Sequence, residues 1–448
     1  MKKRNLFYIV PFLLLAACQP TIDEFSPSKG NADFARYIAV GDSWTSGMAD
    51  GAVYKSGQEN SFPNILAKQF KFVGGGEFKQ PLMVDDYGFG IATGTPLPKL
   101  EMGFHPDCKE VVGLVPAYAD VQVDQANFAS VAAGGPYNNI GLPGQKSFYM
   151  AAAGLATLHP YYARFATSAA NRVIDEIPPV NPTFFTLALG SYDVLAYAIG
   201  GGNDPANPLT PVETFAGSFQ ITLESLTANG ANGAVANIHS ILDAPFFHTI
   251  PYNAVPIPDQ ATADYINSQY AGLNQIIIGA GSSDTIHFTV GQNPMVIQDI
   301  ALPWGMRQIK STEYALLSLP QDSLKCAGWG SAKPVPVQYI LDESEIANVK
   351  QAITDYNEAI GQLVSGKTDV IMVDMLKALA GLKDGLVFDG VKLNNGFVTG
   401  NFYSTDGLNP SFRGNALYAY YFIEAINKEF NANLPQVTIG DYAPIPLP

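Results

Sequence analysis

Cysteine, histidine and charge are all scarce in this chain of 448 residues. It has three cysteines and five histidines, and only 15% of its residues are charged. No CxxC pair and no Cys/His cluster occurs, which argues against a structural zinc site, and no metal or cofactor motif appears. Twenty-five basic residues face 40 acidic ones, a formal charge of −15. So acidic a chain is a poor match for nucleic acid or for anionic lipid. The apolar run from Leu6 to Leu15 is too short for the ~20 residues that a spanning helix needs. What the chain does have is bulk: 47% of it is hydrophobic, with 22 Tyr and 26 Phe. A sizeable core is possible, and global disorder is excluded.

The first residues read as an address. Lys2, Lys3 and Arg4 form a positive segment, and the short apolar run follows. Leu15-Ala16-Ala17-Cys18 then resembles the bacterial lipobox, which is cleaved before a lipidated cysteine. Residues 1–17 are thus expected to be a lipoprotein signal peptide, with Cys18 as the lipidated amino terminus. Losing the three basic residues leaves 22 basic against 40 acidic, a mature charge near −18. Residues 18–33, with Pro20, Pro27 and Gly30, read as a flexible tether. The Asp23-Glu24 pair resembles surface-export signals of some Gram-negative lipoproteins. The expected place is therefore the cell envelope: lipid-anchored in the outer membrane, with surface exposure implied by that pair. In an oxidising envelope the two remaining cysteines, Cys108 and Cys326, are candidates for a disulfide.

The rest alternates strands and helices. Tyr37 to Val40 is a buried strand by pattern, broken at Gly41-Asp42-Ser43. Ser61 to Phe70 has helical spacing, and residues 72 to about 125 read as an irregular Gly/Pro-rich insertion. Helical patterns follow at Ser147 to Leu158 and Tyr161 to Ile177. Thr183 to Gly190 reads as a central parallel strand, Pro211 to Leu226 as a helix, and Gly233 to His239 as the fourth strand. Residues 240–338 form a second long excursion, with helical spacing over 261–278. Leu341 to Leu363 is a helix, Thr368 to Val373 the fifth strand, Ser411 to Phe430 the closing helix, and 433–448 a tail. No linker splits residues 34–432. The alternation predicts an α/β fold, a three-layer α/β/α sandwich with a flavodoxin-like, mainly parallel five-stranded sheet and long insertions.

Four blocks carry chemistry. The G-D-S turn at Ser43 sits at a strand's carboxyl end, where open α/β sheets bind ligands. Tyr137 to Ser147 (YNNIGLPGQKS) offers a turn with Gly144; its GQKS lacks the adjacent Gly-Lys-Ser of a phosphate-binding loop. Gly190-Ser191-Tyr192-Asp193 closes the central strand, and Asp406 to Ser411 (DGLNPS) precedes the last helix. In this order the blocks resemble the SGNH/GDSL family of serine esterases and acylhydrolases. The G-x-S-x-G elbow of the other large serine-hydrolase fold is absent around Ser43. The resemblance implies Ser43 as nucleophile, Gly144 as a backbone oxyanion donor and Asp406 as the carboxylate that orients a base.

Two positions depart from the family pattern. Tyr192 stands where its oxyanion asparagine belongs, and Asn409 where its histidine base belongs. The literal G-G-N-D at Gly201 to Asp204 follows no strand and reads as a loop coincidence. An amide has no titratable lone pair near neutral pH, so Asn409 cannot deprotonate a serine. Two readings follow. One is an active esterase or lipase with a rearranged site, in which His239 or His248 serves as base. The other is a surface protein that keeps the fold to bind an acylated glycan or lipid.

Overall fold

The computed structural model describes residues 25–90 and 96–448. The expected lipidation site at Cys18 and the Asp23-Glu24 pair lie outside them. The centre is a sheet of five strands: β1 (Tyr37–Gly41), β2 (Asn139–Gly141), β3 (Phe184–Ala188), β4 (Asn232–Ala236) and β5 (Val370–Val373). Their spatial order is β5-β4-β3-β1-β2, and every pair is parallel. Strands this deep need apolar residues on both faces. Tyr37, Ile38, Ala39 and Val40 are all buried, as are Phe184, Phe185 and Leu187.

Helices clothe the sheet in two groups. The helix Phe62–Phe70 packs on the closing helix Phe412–Glu429, with Phe62 and Phe422 stacked at 5.3 Å. The helix Val212–Thr227 packs on Glu343–Ser365, with Phe215 and Tyr356 stacked at 4.3 Å. This is an α/β fold. Asp342 and Glu345 close a capping box at the start of the helix Glu343–Ser365, the reciprocal arrangement that satisfies two otherwise unpaired N–H groups.

Several expectations need correction. The stretches 147–158 and 161–177 are not long helices; they form short 3₁₀ turns and one α-turn, Pro160–Ala163. Their apolar residues, among them Met150, Tyr161, Phe165 and Ile174, are buried nonetheless. The insertion at 72–125 is not wholly irregular, since Leu100–Pro106 and Val112–Tyr118 pair as an antiparallel hairpin. The tether is shorter than expected: Ser28 pairs with Asn433, and the Asn31 N–H donates to the Phe430 carbonyl. The 240–338 excursion has its own small core, built on Ile286, Phe288, Met295 and Val296. The expected cysteine pair is present, a Cys108–Cys326 disulfide across 218 residues.

The register sets up everything that follows. Gly41 on β1 pairs with Gly141 on β2 and with Ala188 on β3. The three strands thus end in one row, and their following loops emerge side by side. In this strand order, that row is where the connections diverge and a crevice forms. Glycine is needed there because the chain after β1 folds straight back across the strand ends. A Cβ on Gly41 would fall 2.1 Å from the Ala188 carbonyl oxygen, and one on Gly141 would fall 2.2 Å from the Ser46 nitrogen.

Candidate functional site

Ser43 opens the single helical turn Ser43–Ser46 at the end of β1 and is 5% exposed. Its Oγ accepts a hydrogen bond from the Gly144 backbone N–H at 2.9 Å. Gly144 has φ +69°, a left-handed conformation that glycine adopts without strain. A Cβ there would lie 3.6 Å from the Tyr192 hydroxyl, so Tyr192 sits against the same turn. Ser43, Gly144 and Tyr192 are therefore brought together.

The block after β3 is locked in place by its aspartate. Asp193 is fully buried and accepts from the Ser147 N–H at 2.7 Å and the Ser147 hydroxyl at 2.8 Å. This clamp joins the Gly144 loop to the Tyr192 helix. Asp42, also buried, accepts from the Tyr192 N–H at 3.4 Å. Burial pushes its carboxyl up to about 7, with backbone N–H donors pulling the other way and the Asp193 charge adding to the rise. A buried carboxyl without a counter-cation is expected to behave this way.

DGLNPS forms the other half of the site. Asp406 accepts five hydrogen bonds: from Ser404 Oγ, the N–H groups of Gly51, Leu408 and Asn409, and the Asn409 side chain. The last runs from Asn409 Nδ2 to Asp406 Oδ2 at 2.8 Å. Burial raises the Asp406 carboxyl against the pull of these donors. The loop is stitched to the chain just past Ser43: Thr405 donates through its N–H and hydroxyl to Asp50, and the Asp50 N–H donates to Ser404. No hydrogen bond joins Asn409 to Ser43 among the described residues.

Both candidate substitute bases have other partners. His239 stacks flat on Trp44, ring centroids 4.1 Å apart, and burial lowers its imidazole to about 3. A ring so reluctant to take a proton is a poor general base near neutrality. His248 is exposed, with Nε2 on the Leu242 carbonyl and its ring edge-on to Tyr314. Gly201 to Asp204 lies after a helix, and Asn203 is spent on the Gly201 carbonyl and on Glu345.

Sequence reasoning passed over the Ser147–Asp193 clamp and the Asp50–Thr405 stitch. Their signal was weak but present: polar residues on both sides of two blocks already singled out. No known protein family matches the chain, and no curated protein matches it significantly.

Proposed function

We propose that this chain is a bacterial envelope lipoprotein on an SGNH/GDSL-type hydrolase fold, a three-layer α/β/α sandwich, whose ester hydrolysis is lost or strongly reduced. Its cleft then serves to bind an acylated glycan or lipid. One observation carries the reading. An amide N–H from Asn409 fills the place of the imidazole N–H that an orienting aspartate receives in a serine hydrolase, at 2.8 Å from Asp406.

The consequence is chemical. With one N–H on Asp406, Asn409 keeps a second N–H and a carbonyl oxygen, and neither group takes up a proton near neutrality. Ser43 then stays an alcohol. Loss of the triad histidine in a serine hydrolase costs on the order of 10⁶ in turnover. Loss of one oxyanion donor costs about 10² to 10³. Tyr192 supports the same conclusion, since its ring occupies space against Gly144 where a compact amide would leave room.

A fluorophosphonate probe tests the proposal directly. Incubated with purified protein, it should leave Ser43 unmodified by intact mass. Stoichiometric modification, lost in Ser43→Ala, would mean that an activated serine exists and that the reading is wrong.

A further inference from the structure

An open groove of about 830 Å³ lies away from Ser43, built from the two long insertions and the loop at 394–401. Its walls are the hairpin of residues 100–118, the segments 249–254 and 317–325, and residues 397–399. The volume falls within the range of small-molecule sites, as does the predominance of apolar lining with a few polar groups. The carboxylate and ammonium groups of the lining, Asp107, Asp322 and Lys325, mark one end. There Lys325 pairs with Asp107 at 3.0 Å, and the Cys108 N–H donates to Asp322. The Cys108–Cys326 disulfide clamps the hairpin to the opposite wall at that same end.

The lining reaches the DGLNPS loop through Leu317. Leu317 lines the groove, and its Cδ2 would touch a Cβ on Gly407 at 3.1 Å. Its base is rigid too, because the Leu100 N–H donates to the Asp50 carbonyl beside the Ser43 helix. Val398, on the wall, sits at φ +62°. A β-branched residue rarely adopts that conformation, and such strain persists only where the surroundings hold it.

We propose that this groove is a binding site for a single-chain amphiphile, with the hydrocarbon chain along Met102, Leu114 and Leu317 and the head at the disulfide end. Charge chooses the head. Lys325 is already paired with Asp107, which leaves Asp322 and an acidic molecule of net charge −15. An uncharged or cationic head fits that end and an anionic one is repelled. The proposal stands on the insertions and does not depend on whether Ser43 is active.

The test uses dodecyl maltoside and laurate, two probes of equal chain length, as monomers titrated calorimetrically into the mature protein. Dodecyl maltoside should bind saturably at one site, and laurate at least tenfold more weakly. Leu114→Asp should weaken dodecyl maltoside at least tenfold, while Phe104→Asp, on the same hairpin but outside the groove, should not. A photoreactive dodecyl maltoside on the unmutated protein should label peptides from 102–116, 249–254, 317–325 or 397–399. Absence of saturable binding, laurate binding as tightly as the maltoside, or labelling confined to other peptides would overturn the proposal.

Discussion

Asn409→His is the most demanding perturbation of this account. Asparagine Nδ2 and histidine Nδ1 stand the same number of bonds from the backbone. A histidine can therefore place its Nδ1–H on Asp406 Oδ2, where Asn409 Nδ2 now lies at 2.8 Å. The four other donors around Asp406 fix the carboxylate that would orient the ring. Nε2 then faces outward as a base, the arrangement that activates a serine. The whole triad histidine is worth on the order of 10⁶ in turnover. The missing asparagine donor at Tyr192 withholds roughly 10² to 10³ of the full machine. A folded Asn409→His protein should thus hydrolyse p-nitrophenyl butyrate on the order of 10³-fold above the unmutated chain. Adding Tyr192→Asn should raise the rate again, and Ser43→Ala should abolish it. The assay is release of p-nitrophenol, with Tm measured alongside because Asn409 is 5% exposed and the ring needs space. A double variant that keeps its Tm yet shows no gain would refute the reasoning, because the frame around Ser43 would then not be a hydrolase frame.

Three further outcomes follow. Asp406→Ala leaves five donors without their acceptor, and should cost about 3–5 kcal/mol in urea unfolding; a loss below ~1 kcal/mol would show that water replaces the carboxylate at no cost. Asp42 has a folded carboxyl at about 7, above its ordinary range, so the folded protein holds a proton there that the unfolded chain releases. Its stabilisation is full below about pH 4 and is lost as pH rises towards about 7, by up to about 4 kcal/mol. Asp42→Asn should therefore gain stability relative to the unmutated chain on going from about pH 5 to pH 8 in urea unfolding; an equal effect at both would contradict the assignment. Cys18→Ser should yield unprocessed or soluble protein on membrane fractionation, and mature protein still in the membrane fraction would exclude Cys18 as the anchor.

The fold was legible where apolar runs were long and uninterrupted. Tyr37 to Val40 and the run around Phe184 are strands because they are buried on both faces, and their composition says so. β2 was hidden: Asn-Ile-Gly at 139–141 has no strand pattern and pairs only because β1 offers it an edge. Between 147 and 177 the spacing looked helical, but Gly154, at positive φ, and Pro160 divide the chain into short turns. Burial there is reached without a helix, so periodicity misled. The hairpin at 100–118 escaped because Gly103, Pro106, Gly113 and Pro116 dilute its alternation.

The candidate site was legible in residue identities and not in its supports. Ser43, Gly144 and Tyr192 converge because Gly41, Gly141 and Ala188 end in one row. That register is a property of strand order, which no local pattern encodes. Likewise the buried Asp193–Ser147 clamp spans 46 residues of sequence and could be found only once the two loops were adjacent. His239 looked well placed by position alone. Its stack on Trp44 and its depressed basicity depend on which side chains fill the space after β4.

The central claim is that a hydrolase frame survives around Ser43 without its base. Turnover of p-nitrophenyl acetate and butyrate by the unmutated protein, beside Ser43→Ala, tests it most directly. Both proteins should release p-nitrophenol at the buffer rate. Hydrolysis well above that rate, abolished by Ser43→Ala, would contradict the account.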